Sequence, residues 1–189
     1  MFALYADVRA TADPEAAWRH WRATRDDLFR EHPQSPLPPA ARESFAGLQY
    51  YPYDPAHRVA AELLPLEAPP QPVETSGEAP LLFRPFALAS FTLAGVRHEL
   101  EAHWLEGYGG GIFLPVRDAT SAATTYGGGR YVLDTVKGAD LGADDGRLIV
   151  DFNFAYNPSC AYDPGWVCPL APPGNRLAAA IEAGERMPW

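Results

Sequence analysis

The residues of this chain best suited to chemistry lie between Asp151 and Cys168, in the run Asp151-Phe-Asn-Phe-Ala-Tyr-Asn-Pro-Ser-Cys-Ala-Tyr-Asp-Pro-Gly-Trp-Val-Cys168. Asp151 and Asn153 share one face of what reads as a strand, where a carboxylate and an amide could orient a ligand or activate a water. Both cysteines follow, among the turn signals Asn157-Pro158 and Asp163-Pro164. Cys160 as a nucleophile needs a lowered thiol pKa and a base held nearby. The bases on offer, His98 and His103, face opposite ways along one strand, so at most one could serve. Cys160 and Cys168 could instead form a disulfide or redox pair. A zinc site would need two more ligands, and the spacing is not that of a ribbon or finger, so no metal ligand is assigned. The plain alternative is two small apolar side chains packed in turns. Cys160 and Asp151 are the candidate catalytic residues.

A second polar set holds Arg117, Asp118, Thr120, Tyr126 and Arg130. Arg130 follows three glycines, which let backbone and ligand approach closely, and a guanidinium beside unpaired backbone N–H groups suits a carboxylate or phosphate. In this reading Arg130 binds the anion, Tyr126 and Trp104 wall the pocket, and Asn153 and Asp151 fix orientation. Arg117, Asp118 and Asn157 complete the candidate binding set. The competing structural reading has Asp118 and Thr120 capping a turn, Arg130 paired with Asp134, Asn153 satisfying buried loop amides, Asn157 in an Asx turn, Asn175 capping a helix and Glu185 solvated. Tyr126-Gly-Gly-Gly-Arg130 is not a phosphate loop, because it lacks the Gly-Lys-Ser/Thr ending and leads into a strand. There is no Gly-x-Ser-x-Gly elbow, no His-Glu-x-x-His helix and no dinucleotide fingerprint. Whether a cofactor is used is not legible in the sequence.

The chain has 189 residues, enough for one domain with a sizeable core. Its 16 glycines and 20 prolines are spread between apolar runs, which favours many short elements joined by tight turns. The formal charge of −9 argues against non-specific nucleic-acid binding and against docking on an anionic membrane. The first residues lack a basic region followed by an apolar one, and no apolar run approaches the ~20 residues of a spanning helix, so the expectation is a cytoplasmic protein with two reduced thiols. If the protein is exported, a Cys160–Cys168 disulfide is the simpler reading. Oligomeric state is not legible.

The elements that must position these residues form one domain over 1–189. Asp13-Pro14-Glu15 is a helix start, and the spacing of Trp18, Trp21, Leu28 and Phe29 predicts a helix over 14–32 that ends at His32-Pro33. Residues 33–40 read as an extended connector, with one helical turn near 39–45. A β-meander follows over 48–155, with strands at 48–53, 59–66, 86–93, 96–105, 112–116, 131–136 and 148–154, and a mobile loop over 68–80. Ala94-Gly95 joins a hairpin. On its second strand Val96, His98, Leu100, Ala102 and Trp104 face one way, and Arg97, Glu99, Glu101 and His103 the other. Glycine clusters at 107–111 and 126–130 are bends. Residues 156–189 form a Pro- and Cys-containing segment with a short helix over 176–183. The expected fold is mainly β (α+β): an N-terminal helix packed on an antiparallel small β-barrel or strongly bent sheet.

The runs Trp104-Leu-Glu-Gly-Tyr-Gly-Gly-Gly-Ile-Phe-Leu-Pro-Val-Arg-Asp-Ala-Thr120, Thr125-Tyr-Gly-Gly-Gly-Arg-Tyr131, Asp151 to Cys160, Cys168-Pro-Leu-Ala-Pro-Pro-Gly-Asn175 and Ala183-Gly-Glu185 together resemble the bacterial and archaeal domain-of-unknown-function family 1684. The resemblance covers most of the chain from the Trp-rich helix to Glu185. It implies a shared pattern and no particular activity. Many members resemble exported or lipid-anchored proteins, and this chain departs from them in lacking an export signal.

The expected function is binding of a small anionic or polar ligand in a β-barrel pocket. One rival is an enzyme, either a Cys160-dependent transferase or hydrolase or a metal-assisted hydrolase. Another is a protein-interaction module using the exposed part of the Trp18/Trp21 helix.

Overall fold

The structure is a computed structural model that describes residues 1–105 and 110–188. Two helices come first: α1 (Phe2–Ala10) and α2 (Pro14–Glu31). Asp13 caps α2 by accepting from the Glu15 backbone N–H at 3.0 Å, with Pro14 at the first position, and His32 ends the helix. α3 (Pro39–Arg42) is the single expected turn.

The rest is antiparallel sheet: β1 (Arg58–Pro65), β2 (Gln71–Val73), β3 (Leu81–Leu93), β4 (Val96–Leu105), β5 (Ile112–Val116), β6 (Arg130–Asp134), β7 (Ala143–Asp144) and β8 (Arg147–Asp151). The spatial order is β6-β5-β4-β3-β1-β8-β7, with β2 added on β3, and the sheet bends into a half-barrel. The expected mainly β fold, with an N-terminal helix against a strongly bent sheet, is the observed one. β3 and β4 turn at Ala94 and Gly95, both at positive φ, as a tight two-residue hairpin demands.

Both faces of the sheet are covered. The concave side holds Phe91, Leu93, Leu100, Leu114, Val116, Leu133, Val150 and Phe152, and is filled from the C-terminal segment by Leu177, Ile181 and Ala183. The other side packs Phe83, Leu105, Phe113 and Tyr131 against Leu4, Tyr5 and Val8 of α1 and Ala17, Trp18 and Trp21 of α2. A third cluster joins Phe29 to Leu37, Leu48 and Tyr162. The Trp21 indole donates to the Tyr5 hydroxyl at 3.0 Å, and the Trp18 indole to the Asn153 carbonyl at 2.9 Å. Both tryptophans are buried.

Several expectations need correction. Residues 48–53 are not a strand, because only Tyr50 makes a bridge, to Glu185. The 68–80 loop contains β2, and β3 starts five residues before Phe86, at Leu81. β8 stops at Asp151, whose side chain caps a 3-10 turn over Phe152–Phe154, and the turn sends Phe152 into the concave core and Phe154 into the helix-side core. Asp151 and Asn153 are therefore buried and share no wet face. The register of β3 against β4 shifts between Pro85 and Ala87. The extra residue is in β3, and β4 keeps its alternation, with Leu100 and Ala102 toward one core and Leu105 toward the other, so His103 is buried because its face is covered there, while Trp104 is exposed. β6 ends at Asp134 in a 3-10 turn, and residues 176–183 form no helix. The bend expected over 107–111 lies mostly outside the described residues.

Candidate functional site

The fold does not gather the polar residues singled out in the sequence into one hollow. Arg130 is fully buried, and its guanidinium is used by the protein. One terminal nitrogen donates to Asp118 at 3.0 Å and to the Ile181 carbonyl at 3.0 Å, and the other to the carbonyls of Ala183 and Glu185. Burial pulls its pKa down, and the Asp118 carboxylate works against that. Arg130 is paired with Asp118, not with Asp134, whose partner is the Lys137 ammonium at 2.9 Å. The other Asp118 oxygen accepts from the Thr120 N–H at 2.8 Å, the Thr120 hydroxyl at 2.6 Å and the Ile181 N–H at 3.1 Å. This network pins the C-terminal segment over the half-barrel, where a helix would otherwise have satisfied those carbonyls itself.

Asn153 does the same for another loop. Its side chain donates to the Asp54 carbonyl at 2.8 Å and accepts from the Asp54 N–H at 3.0 Å. Asp151 takes two hydrogen bonds from Asn153 and an ion pair from Arg58 at 3.2 Å. Burial raises the Asp151 pKa, and the Asn153 and Arg58 donors oppose it. Asn175 does not cap a helix. It donates to the carbonyls of Glu101 and Pro115, which leaves its oxygen to accept from His103 at 3.3 Å. That assigns the His103 proton to Nε2, and burial lowers its pKa. Glu185 is buried, not solvated, and pairs with Arg25 at 2.8 Å while accepting from the Asn157 N–H at 3.0 Å. Arg117 is held through its backbone, to Asn175 and Leu177. Trp104 stands exposed, edge-on to Phe86 at 6.5 Å between ring centres.

The two cysteines are brought together. Both are buried thiols, and the Cys160 N–H points at the Cys168 sulfur at 3.4 Å. The Tyr126 hydroxyl lies 3.5 Å from the Cys160 sulfur. Hydrogen bonding from the Cys168 thiol, aided by Tyr126 and Ser76, brings the Cys160 pKa down to about 6 against the opposing effect of burial. The same bond, with burial, drives Cys168 up. The two thiols therefore titrate as a coupled pair, with Cys160 shifted toward the thiolate and Cys168 away from it.

A cavity of about 630 Å³ lies on the helix side of the sheet, outside the half-barrel. Its wall is largely aromatic: Phe29 from α2, Phe83 from β3, Phe113 from β5, Tyr131 from β6, then Tyr156 and Trp166. Polar groups reach it from Arg25, His32, Asp134, Lys137, Asn157 and Cys168. Asp134 and Asn157 each keep one buried side-chain oxygen without a hydrogen-bond partner. Of the predicted set only Asn157 lines this cavity, with Cys168 beside it. Reasoning from sequence missed Asp134, whose signal was a lone carboxylate closing the apolar strand Tyr131-Val-Leu. Among the described residues, no group of three or more His, Cys, Asp or Glu side chains could hold a metal ion. Among the described residues, no helix is long and apolar enough to cross a membrane.

A helix-backed antiparallel half-barrel, sealed by a C-terminal segment that buried Arg, Asp and Asn side chains tie down, is the class of protein defined here. The chain belongs to the family described as "Protein of unknown function (DUF1684)", whose pattern matches residues 43–186. It is similar to the solution NMR structure of the uncharacterized protein from gene locus rrnAC0354 of Haloarcula marismortui. The two are 35% identical, the match covers 91% of this chain and 93% of that one, and the TM-score is 0.62. No curated protein matches.

Proposed function

We propose that the protein binds a small, largely apolar or aromatic molecule that carries hydroxyl or amino groups, in the cavity between α2 and the sheet. The supporting observation is the cavity's largely aromatic wall, which also carries the side chains of Asp134 and Asn157. The volume, about 630 Å³, is in the range of small-molecule pockets. The cations nearby are already neutralised, Arg25 by Glu185 and Lys137 by Asp134, and Arg130 points elsewhere. A polar, donor-bearing ligand thus fits better than an anion. Two unpaired thiols suit a reducing compartment, so the proposed location is the cytoplasm.

Thermal unfolding against a panel of phenols, aromatic amines and matched carboxylates tests this. Ligands that bind the folded state raise the melting temperature, by about 2.7 kcal/mol of stability at one hundred times Kd. Donor-bearing compounds are expected to do so, and Leu28→Trp, which narrows the cavity from α2, is expected to abolish the shift. If no compound shifts the native protein, or if Leu28→Trp shifts equally, the cavity is not the site.

A further inference from the structure

The structure assigns a second property to the cavity wall: Cys160 and Cys168 form a peroxide-reactive dithiol that closes reversibly to a disulfide. This does not rest on ligand binding, since it concerns the sulfurs themselves. Four observations carry it. The Cys168 sulfur lies 3.4 Å from the Cys160 backbone nitrogen, within reach of the Cys160 side chain. Each sulfur belongs to an unpaired thiol. The Tyr126 hydroxyl, 3.5 Å from the Cys160 sulfur, stabilises negative charge there. Cys168 lines the cavity, and Cys160, just outside that lining, keeps 9% of its surface exposed, so a molecule as small as a hydroperoxide is the size of reactant the pair admits.

The roles follow from the Tyr126 hydroxyl, which lies against the Cys160 sulfur. Cys160 is the attacking sulfur, and Cys168 resolves. The Cys160 thiolate attacks the terminal oxygen of a hydroperoxide. The S–O bond forms, the O–O bond breaks, and the alkoxide or hydroxide leaves and takes a proton from solvent. Cys168 then attacks the Cys160 sulfenic acid. The S–S bond forms, the S–O bond breaks, and hydroxide leaves with the Cys168 proton as water. Two thiols have lost two electrons, and the peroxide has become an alcohol, or water, plus water. A free thiol or dithiothreitol reverses the closure by thiol–disulfide exchange.

Closure would tie the turn at Ser159–Ala161 to the stretch Trp166–Pro169, and both border the cavity. The backbone is already braced for it. The Cys168 N–H donates to the Ser76 hydroxyl at 2.9 Å, and the Ser76 N–H donates to the Cys168 carbonyl at 2.9 Å.

The folded protein, treated with hydrogen peroxide and then denatured in iodoacetamide, tests the assignment. The expected result is a monomer about 2 Da lighter with neither cysteine alkylated, and two alkylations after dithiothreitol. Two alkylated cysteines after peroxide, or sulfinic acids without a cross-link, overturn it. Order of attack is read from variants. With dimedone and peroxide, Cys168→Ala should accumulate a sulfenic adduct on Cys160, and Cys160→Ala should label Cys168 at least tenfold more slowly. Equal labelling of the two variants overturns the assignment of roles. In the native protein, alkylation of Cys160 should rise with a midpoint near pH 6, and a midpoint near that of an ordinary thiol counts against it.

Discussion

Arg130 and Asp118 form an ion pair 3.0 Å long with both side chains withdrawn from water, in a stretch where the sequence suggests a ligand-binding arginine. The pair is used to hold Ile181, Ala183 and Glu185 over the sheet. Removing one partner leaves a buried charge uncompensated. Arg130→Ala or Asp118→Ala should therefore cost about 3–5 kcal/mol in urea unfolding, with Arg130→Met in Asp118→Leu recovering part of the loss. Equal stability of the native protein and the single variants would contradict this role.

The buried Glu185 carboxyl gives a pH signature. Burial pushes its pKa up to about 6 from an ordinary 4.5, against the pull of Arg25 and the Asn157 N–H. An acid whose folded value exceeds its unfolded one contributes stability that is fully present below the unfolded value and is lost as pH rises through the folded one. Measured against Glu185→Gln, which cannot titrate, the native protein should lose about 2 kcal/mol of relative stability between pH 4.5 and pH 7. The Gln variant also cancels the background from Asp151, whose pKa shifts the same way.

Two backbone positions should respond with opposite signs. Ala94 sits at φ 49 in the β3–β4 hairpin, a conformation that disfavours a Cβ, so Ala94→Gly should stabilise by about 1 kcal/mol. Gly184 sits at φ +76 with the Phe152 and Ala155 carbonyl oxygens 2.6 and 2.7 Å from where a Cβ would stand. Gly184→Ala should destabilise by about 3 kcal/mol or more, because strain and collision add. Chemical denaturation of the two variants checks both.

What was legible in the sequence was local. Asp13-Pro14-Glu15 fixes the start of α2, and the alternation from Phe86 to Ala102 fixes the hairpin, because caps and pleats are decided by neighbours along the chain. α1 escaped notice because it has no side-chain cap and buries only Leu4, Tyr5 and Val8. The run Arg176-Leu-Ala-Ala-Ala-Ile-Glu-Ala183 has good helix formers, yet distant groups decide its shape: Arg117 pairs with it and Arg130 takes its carbonyls. His103 and Trp104 keep their expected faces but not their expected burial, because the face of His103 is covered by distant residues such as Asn175. The candidate site failed to converge for a related reason. Arg, Asp and Asn beside glycines look alike whether they hold a ligand or hold a loop, and only coordinates separate the two. The cavity is built from ordinary aromatics on four elements and the C-terminal segment, a coincidence in space that spacing along the chain does not record.

The filling of the half-barrel by Leu177, Ile181 and Ala183 has a consequence for biogenesis. These residues leave the ribosome after every strand they cover, so the concave face must wait, greasy and open, until they have been made. β1 waits too, since its partner β8 begins 89 positions after Arg58. A nascent chain stalled before Leu177 would present a bare apolar trough, a ready target for chaperones and quality-control proteases.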